Sequence, residues 1–370
     1  MSLPITSPRT SGTFTLLATR EYFDQLVAEV DATKKGDRVL LATMAFEPTP
    51  PILAKLIASL IAASDRGVTV DFFSDAYNFI VNRGKKMGPL WWNATMPPTL
   101  HGEFKELYSI LENMKAHNIH VTMTNPPSRR YTSPFSGRSH IKASIINDVV
   151  YLGGCNIEQQ HMDCMARWED PKAAQWLYDL LLTRHKNPQT IAAFGPHDIT
   201  HALDEKTDIL VDVGVRNQSA IYEQALATID AAKDWLIISC QFFPNSITAK
   251  HLRAAHDRGV RVFPIFNHYS AHSKPKNILQ HMVTSRERLR MPDSFFVHEL
   301  TRGSTYLHAK VIATESEAII GSHNYVTAGV NFGTAEIALH KKDSDFSRAA
   351  AQLLLAETGL ANQPEFAFLG

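Results

Sequence analysis

One pattern constrains this chain more than any other: H-x-K, then a glycine thirteen residues after the His and an asparagine sixteen residues after it, written twice. The first copy, SHIKASIINDVVYLGGCNIEQQHMD, carries His140, Lys142, Gly153 and Asn156; the second, YLHAKVIATESEAIIGSHNYVTAGVNFGTAE, carries His308, Lys310, Gly321 and Asn324. The chain has 17 His, so a lone HxK would say little. Four matched positions in two copies imply a duplicated unit, and one active site assembled from two half-sites.

The spacing has a structural meaning. HIKASII and HAKVIAT are rich in apolar and β-branched residues and predict strands. Side chains alternate along a strand, so His and Lys two apart share a face. A polar turn follows each (Asn147-Asp148, and Glu315 to Glu317), then a second apolar run, VVYLGG or AIIGS. Each copy therefore reads as a β-hairpin that returns its Asn beside the His-Lys pair. The small pairs Gly153-Gly154 and Gly321-Ser322 would leave room for a ligand at the backbone, with Ser322 among its contacts. An imidazole, an ammonium and a carboxamide from each half are donors suited to a phosphate.

Around these motifs the repeat extends. The first half predicts a helix over Glu21 to Lys34, a strand over Arg38 to Phe46, a helix over Pro51 to Ser64 ending at DRGV, and a strand over Val68 to Phe73. The second half predicts a helix over Ala220 to Ala232, a strand over Trp235 to Phe242, a helix into a second DRGV, and a strand over Val260 to Phe266. Asp163 lies seven residues before Asp170, as Glu336 lies seven before Asp343, and an amphipathic helix follows each. The boundary falls near Asn187 to Lys206, giving units over 1–190 and 191–370. Alternating β and α elements predict an α/β fold, two tandem lobes with mostly parallel central sheets flanked by helices. The middles differ. The first contains Trp91, Trp92 and a helix-like Glu103 to Ala116, the second Lys274, Lys276, Arg286, Arg288 and Arg290. The tryptophans read as core and the basic run as a solvated helix face.

Composition narrows the class. Of 370 residues, 44% are hydrophobic and 20% charged, as in a globular protein with a substantial core. Net charge is zero, so no global field draws the chain to nucleic acid or anionic lipid. Cys155, Cys164 and Cys240 form no CxxC pair, which suggests a reduced, cytoplasmic setting. The N-terminus lacks an apolar signal region, and the most apolar run, Ile52 to Ala63, is too short to span a bilayer.

HIK(x)10GGCN and HAK(x)10GSHN resemble the paired HxK motifs of the phospholipase D superfamily, and GGCNI most resembles its cardiolipin synthase branch. The resemblance runs from about Glu21 to Glu357. It implies two PLD-like lobes related by a pseudo-twofold axis, with one site at the seam. It also implies metal-free phosphodiester chemistry through a phosphohistidine, with no cofactor. In that reading Lys142, Lys310, Asn156 and Asn324 orient the non-bridging oxygens. By analogy His140 attacks phosphorus and His308 serves as acid and base. Asp163 and Glu336 are candidates to fix the histidine tautomers, and which serves which is left open. Two positions depart from the family. The acidic residue usual five after the motif Lys is Asn147 in one copy and Glu315 in the other, and the membrane-spanning N-terminus of many cardiolipin synthases has no counterpart.

Three functions fit these features. The first is phosphatidyl transfer or phospholipase hydrolysis on glycerophospholipids, with peripheral membrane contact and a monomer sufficient for the site. The second is a metal-independent endonuclease, which the neutral charge disfavours. The third is a non-catalytic phosphate-binding module, which intact His and Lys in both halves disfavour. A metal site is the rival reading of the histidines, but His117/His120 and His268/His272 lack a completing Cys or carboxylate cluster.

Overall fold

The computed structural model describes residues 9–11, 13–46, 51–76, 103–125, 138–158, 161–186, 195–244, 246–271, 274–301 and 306–369. Trp91, Trp92 and His272 lie outside them. In chain order the first half forms strands β1 Arg9–Ser11, β2 Phe14–Ala18, β3 Arg38–Thr43, β4 Thr69–Asp75, β5 His120–Thr124, β6 Ala143–Ile146, β7 Val149–Gly153, β8 His161–Met162 and β9 Cys164–Glu169. The second forms β10 Ile199–Asp204, β11 Thr207–Val213, β12 Trp235–Ser239, β13 Arg261–Asn267, β14 Glu299–Leu300, β15 Tyr306–Leu307, β16 Lys310–Thr314, β17 Ala318–Gly321 and β18 Ala335–Lys341.

Two eight-stranded sheets result, ordered β1-β2-β9-β7-β6-β3-β4-β5 and β10-β11-β18-β17-β16-β12-β13-β14, so every strand has its counterpart at the same place. The α/β class stands, but the expectation of mostly parallel sheets does not. Only β3-β4-β5 and β12-β13-β14 run parallel; every other junction in either sheet is antiparallel. The parallel strands are those joined through helices such as Pro51–Asp65 and Ser246–Asp257. The motif hairpins are joined by turns too short for a crossover and must be antiparallel.

The helices begin and end where the sequence signals them. Thr19–Asp31, Pro51–Asp65, Glu103–Ala116 and Ala220–Ala231 lie within a few residues of expectation. Gly67 and Gly259, in the DRGV turns, take positive φ of 89° and 94°, the conformation a Gly stop supplies. Asp170 and Asp343 precede the helices Pro171–Lys186 and Ser344–Thr358, and each accepts a backbone N–H from the first turn with its side chain.

β6, β7, β16 and β17 are buried on both faces, which is why they read as apolar runs rather than alternating ones. The inner faces of the two sheets share one core, which holds Leu40, Ile145 and Leu152 with Ile237, Val311 and Leu339. Phe14 packs edge-on against Phe346, ring centroids 5.8 Å apart, so the last helix lies across the first sheet as well as its own. That shared core fixes the two hairpins relative to each other and so sets the seam.

Candidate active site

Both HxK segments leave their sheets before the histidine. β6 starts at Ala143 and β16 at Lys310, so His140 and His308 lie outside the strands in which the sequence places them. Their backbone groups bond across the seam instead. His140 N–H donates to Ala335 O at 2.8 Å, and Ser139 bridges Ala335 in parallel. On the other side His308 N–H donates to Met162 O at 2.8 Å, where β15 pairs with β8 and Leu307 opposes Met162. In each case the residue before the histidine faces the residue before the opposite half's carboxylate.

This register crosses the side chains. Nδ1 of His140 lies 2.7 Å from Glu336 Oε2, and Nδ1 of His308 lies 2.7 Å from Asp163 Oδ2. A carboxylate at that distance fixes the N–H on Nδ1 and leaves Nε2 with its lone pair. The order in sequence leaves this pairing open; it belongs to the seam.

Each carboxylate has a support of its own. Ser322 Oγ donates to Glu336 Oε2 and accepts from Ile337 N–H at 2.9 Å. Asp163 Oδ1 accepts from Cys164 N–H at 3.0 Å. The position equivalent to Ser322 is Gly154, where an added Cβ would lie 2.1 Å from Asp163 Oδ1. A Glu with a Ser on one side is matched by a shorter Asp packed on a Gly on the other. Cβ atoms at Gly153 and Gly321 would meet Cys164 O at 2.2 Å and Ile337 O at 2.5 Å. The room expected at these small residues is therefore filled by the neighbouring strand, and the hydroxyl of Ser322 is directed to Glu336.

Lys142 and Lys310 are fully buried. Lys142 Nζ donates to His140 O at 2.8 Å, and Lys310 Nζ donates to His308 O. Lys310 Nζ also lies 2.8 Å from His308 Nδ1; as that nitrogen's proton faces Asp163, the contact sets positive against positive. Burial lowers the Lys142 ammonium to about 7, while Glu336 opposes the change and Lys310 adds to it. Burial likewise lowers Lys310. His140 falls to about 4 through burial, against the pull of Glu336, with both ammoniums contributing. His308 falls well below its ordinary value through burial and then the two lysines. Each lysine's charge is thus felt at the opposite imidazole, which puts four basic groups in one site. Burial raises Glu336, but His140 overcomes this and holds the carboxyl at about 2. For Asp163 burial prevails and the shift is upward.

The two motif asparagines are less alike. Asn156 Oδ1 accepts from Ala45 N–H at 3.2 Å and Nδ2 donates to Glu158 Oε1 at 2.9 Å. Asn324 Oδ1 is buried without a partner among the described residues. The departures five after the motif Lys have a shared explanation. Asn147 Oδ1 accepts from Arg38 N–H at 3.1 Å, and Glu315 Oε1 accepts from Lys233 N–H at 3.0 Å. Each ties its turn to the entry of the neighbouring strand, a task either side chain can do.

Sequence reasoning misses a second symmetric pair. Asp75 ends β4 and Asn267 ends β13. Asp75 Oδ2 accepts from Ser139 N–H at 2.8 Å, and Asn267 Oδ1 accepts from Leu307 N–H at 2.9 Å. Each holds the backbone one residue before its histidine. Aligning the last residues of equivalent strands would have revealed the pair, but the unequal middles hide it. As for a metal, His117 and His120 hydrogen-bond different carboxylates, Asp65 and Asp71. No group of three or more His, Cys, Asp or Glu among the described residues is arranged to hold an ion. Nor is any described helix long and apolar enough to cross a membrane.

Residues 225–355 match the family described as cardiolipin synthase, PLD-like domain. No curated protein matches the chain. Among solved structures, phosphatidylserine synthase from Haemophilus influenzae Rd KW20 is 11% identical with a TM-score of 0.64, over 96% of this chain and 87% of that one. Polyphosphate kinase from Porphyromonas gingivalis is 13% identical with a TM-score of 0.56, over 92% of this chain and half the length of that one. At such identities these likenesses speak for the fold. Residues 225–355 are thus similar to a PLD-like domain of the cardiolipin synthase type, and the first half of the chain repeats the strand order of the second.

Proposed function

We propose that the chain is an enzyme that cleaves or transfers the phosphodiester of glycerophospholipids through a phosphohistidine. The observation that carries the reading is the crossed pairing of His140 with Glu336 and His308 with Asp163, beside two buried lysines. Two imidazoles with Nδ1 occupied present two Nε2 atoms to one phosphorus centre.

In the first step His140 Nε2 forms a bond to phosphorus as the bond to the leaving alkoxy oxygen breaks. That oxygen takes the Nε2 proton of His308, which the anionic substrate, on entering, has brought to the imidazolium form with a proton from solvent. In the second step neutral His308 removes a proton from water or an alcohol, whose oxygen displaces His140 and closes the cycle. Lys142 and Lys310 neutralise the equatorial oxygens, whose charge grows in the transition state, and the carboxamides of Asn156 and Asn324 orient them. Asp163 and Glu336 hold the imidazoles and stabilise each when it carries charge or phosphorus. The lysines supply the positive charge that a metal would otherwise bring, so the reaction proceeds in chelator. One chain is sufficient for the site, and it acts in the cytoplasm, meeting its lipid from the membrane surface.

The test is turnover of phosphatidylglycerol, phosphatidylcholine and plasmid DNA by the purified chain with chelator present, products identified by mass spectrometry with and without glycerol. Lipid turnover, lost in His140→Ala and His308→Ala, is the expected result. Cleavage of DNA without lipid turnover overturns the substrate, and loss of activity in chelator overturns the metal-free mechanism.

A further inference from the structure

The two half-sites agree in their His, Lys and carboxylate but differ one rung further along the seam. β8 and β15 run parallel with His161 opposite Tyr306 and Met162 opposite Leu307. Met162 and Leu307 are buried on one face. Alternation then puts His161 and Tyr306 on the other face, the one that carries Asp163 and His308 two residues on. The contacts agree: the His161 ring stacks on His308 with centroids 5.5 Å apart, and lies 4.8 Å from the Tyr306 ring. His161 Nδ1 is 3.1 Å from Glu158 Oε1, and Gln241 Nε2 donates to Tyr306 OH at 2.5 Å. His161, Tyr306 and Gln241 are all partly exposed, as a surface that meets a ligand must be.

On the opposite seam the equivalent rung holds Arg138 and Thr334, before Ser139 and Ala335. Arg138 is buried, and its Nη1 donates to Asp75 Oδ1 and to Asn125 O, both at 3.1 Å. There the rung is part of the scaffold that holds His140. Among the described residues, the His308 side alone adds a carboxylate, an imidazole, a phenol and a carboxamide beside the reacting histidine.

We infer that Glu158, His161, Tyr306 and Gln241 form a subsite for the alcohol portion of the substrate, leaving or incoming, and that it selects alcohols bearing a second hydrogen-bond donor, a hydroxyl or a protonated amine. The inference rests on the proposed function, in which the alcohol oxygen departs and arrives at His308. Glu158 supplies the acceptor charge. Burial pushes its carboxyl up, but the hydrogen bond and charge of His161, His308 and the Asn156 amide together carry it down to about 2. It is therefore ionised throughout the working range. An alcohol such as ethanol has nothing to give this group, whereas glycerol and ethanolamine do.

The test is acceptor competition. The full chain is given phosphatidylcholine with equal glycerol, ethanolamine and ethanol, and the transfer products are counted by mass spectrometry. Release of p-nitrophenol from bis(p-nitrophenyl) phosphate is followed in parallel. The wild type is expected to favour glycerol or ethanolamine over ethanol. Glu158→Gln and His161→Phe are expected to lower that ratio about tenfold or more, the value of a hydrogen bond to a charged group. A larger fall for ethanolamine than for glycerol in Glu158→Gln identifies the amine as the natural donor; equal falls identify the hydroxyl. A ratio unchanged in both variants, or a parallel decline of all three acceptors, overturns the subsite. Turnover of p-nitrophenyl diester with no acceptor selectivity removes this inference and leaves the phosphodiesterase reading in place. No turnover of either substrate by the wild type removes both.

Discussion

Asp163 belongs to the first half of the chain, yet it receives the Nδ1 proton of His308, 145 residues away, at 2.7 Å. The reciprocal bond joins His140 to Glu336. Neither half therefore holds a complete histidine, and a lesion in one carboxylate should appear as a lesion in the other half's step. If His308 protonates the leaving oxygen, Asp163→Asn should slow the release of alkyl alcohols by about 10²–10⁴-fold, the range for a catalytic histidine that loses its tautomer partner. It should slow release of p-nitrophenol far less, because that group departs without a proton. Glu336→Gln disables the nucleophile and should slow both alike. Single-turnover kinetics on the two leaving groups distinguish these patterns, and the reverse result would exchange the roles of His140 and His308.

Gly154 gives that argument a steric form. A methyl there would stand 2.1 Å from Asp163 Oδ1 and 2.8 Å from its Cγ, with the backbone on both sides unable to retreat far. Gly154→Ala should displace the carboxylate, reduce turnover at least as much as Asp163→Asn, and cost about 1–3 kcal/mol of stability as an overpacked site. Gly329→Ala is the control. Among the described residues its Cβ meets only His323 Nε2, at 3.6 Å, inside the helix Thr327–Phe332, so stability should hold or rise by about 0.4–1 kcal/mol. Chemical denaturation of the two variants beside wild type measures the difference.

Asn267 should prove a positioning residue. Its amide accepts from Leu307 N–H at 2.9 Å and donates to Leu307 O at 2.7 Å and Gln241 O at 3.1 Å. Asn267→Leu leaves these buried groups unpaired and should cost about 2 kcal/mol or more. The release of alkyl alcohols should fall more than that of p-nitrophenol, since the strand entering His308 is what loosens. Asn267→Asp keeps the acceptor but sets a carboxylate against two carbonyl oxygens, and should rescue little. A variant that melts earlier but keeps its leaving-group profile would make Asn267 a purely structural residue.

What the sequence can disclose follows from which interactions are local. His140 and Lys142 are two apart and share an environment, so their pairing is visible in one line of text, as is its recurrence at His308 and Lys310. Strand direction is not visible. Buried strands such as Val149–Gly153 are apolar on both faces and read alike in either orientation, which is how sheets with two parallel junctions each were expected to be mostly parallel. Gly154 and Ser322 look like clearance for a ligand until Asp163 and Glu336 are seen to occupy it. The crossing of the carboxylates arises only where Ser139 meets Ala335 and Leu307 meets Met162, contacts that no spacing within one half encodes.

The buried lysines imply that protons move when the phosphate arrives. Lys142 sits at about 7 against an ordinary 10.5, so near neutrality it is only partly charged in the empty site. The sign of the consequence is fixed. Between pH 7 and 10.5 the unfolded chain binds the Lys142 proton and the folded one does not, so this group makes stability rise with pH across that window and withdraws the benefit as pH falls through 7. An entering anion favours the ammonium, lifts its pKa again and draws a proton from solvent. Sulfate, which does not titrate near neutrality, is the cleanest probe. Titration calorimetry at pH 8 in buffers of different ionisation enthalpy should show uptake of about one proton per sulfate bound. Lys142→Met should bind sulfate more weakly and take up fewer protons at pH 8. Binding with no proton uptake at pH 8 would mean that Lys142 is charged in the empty site, and that the ammonium waits for its phosphate already formed.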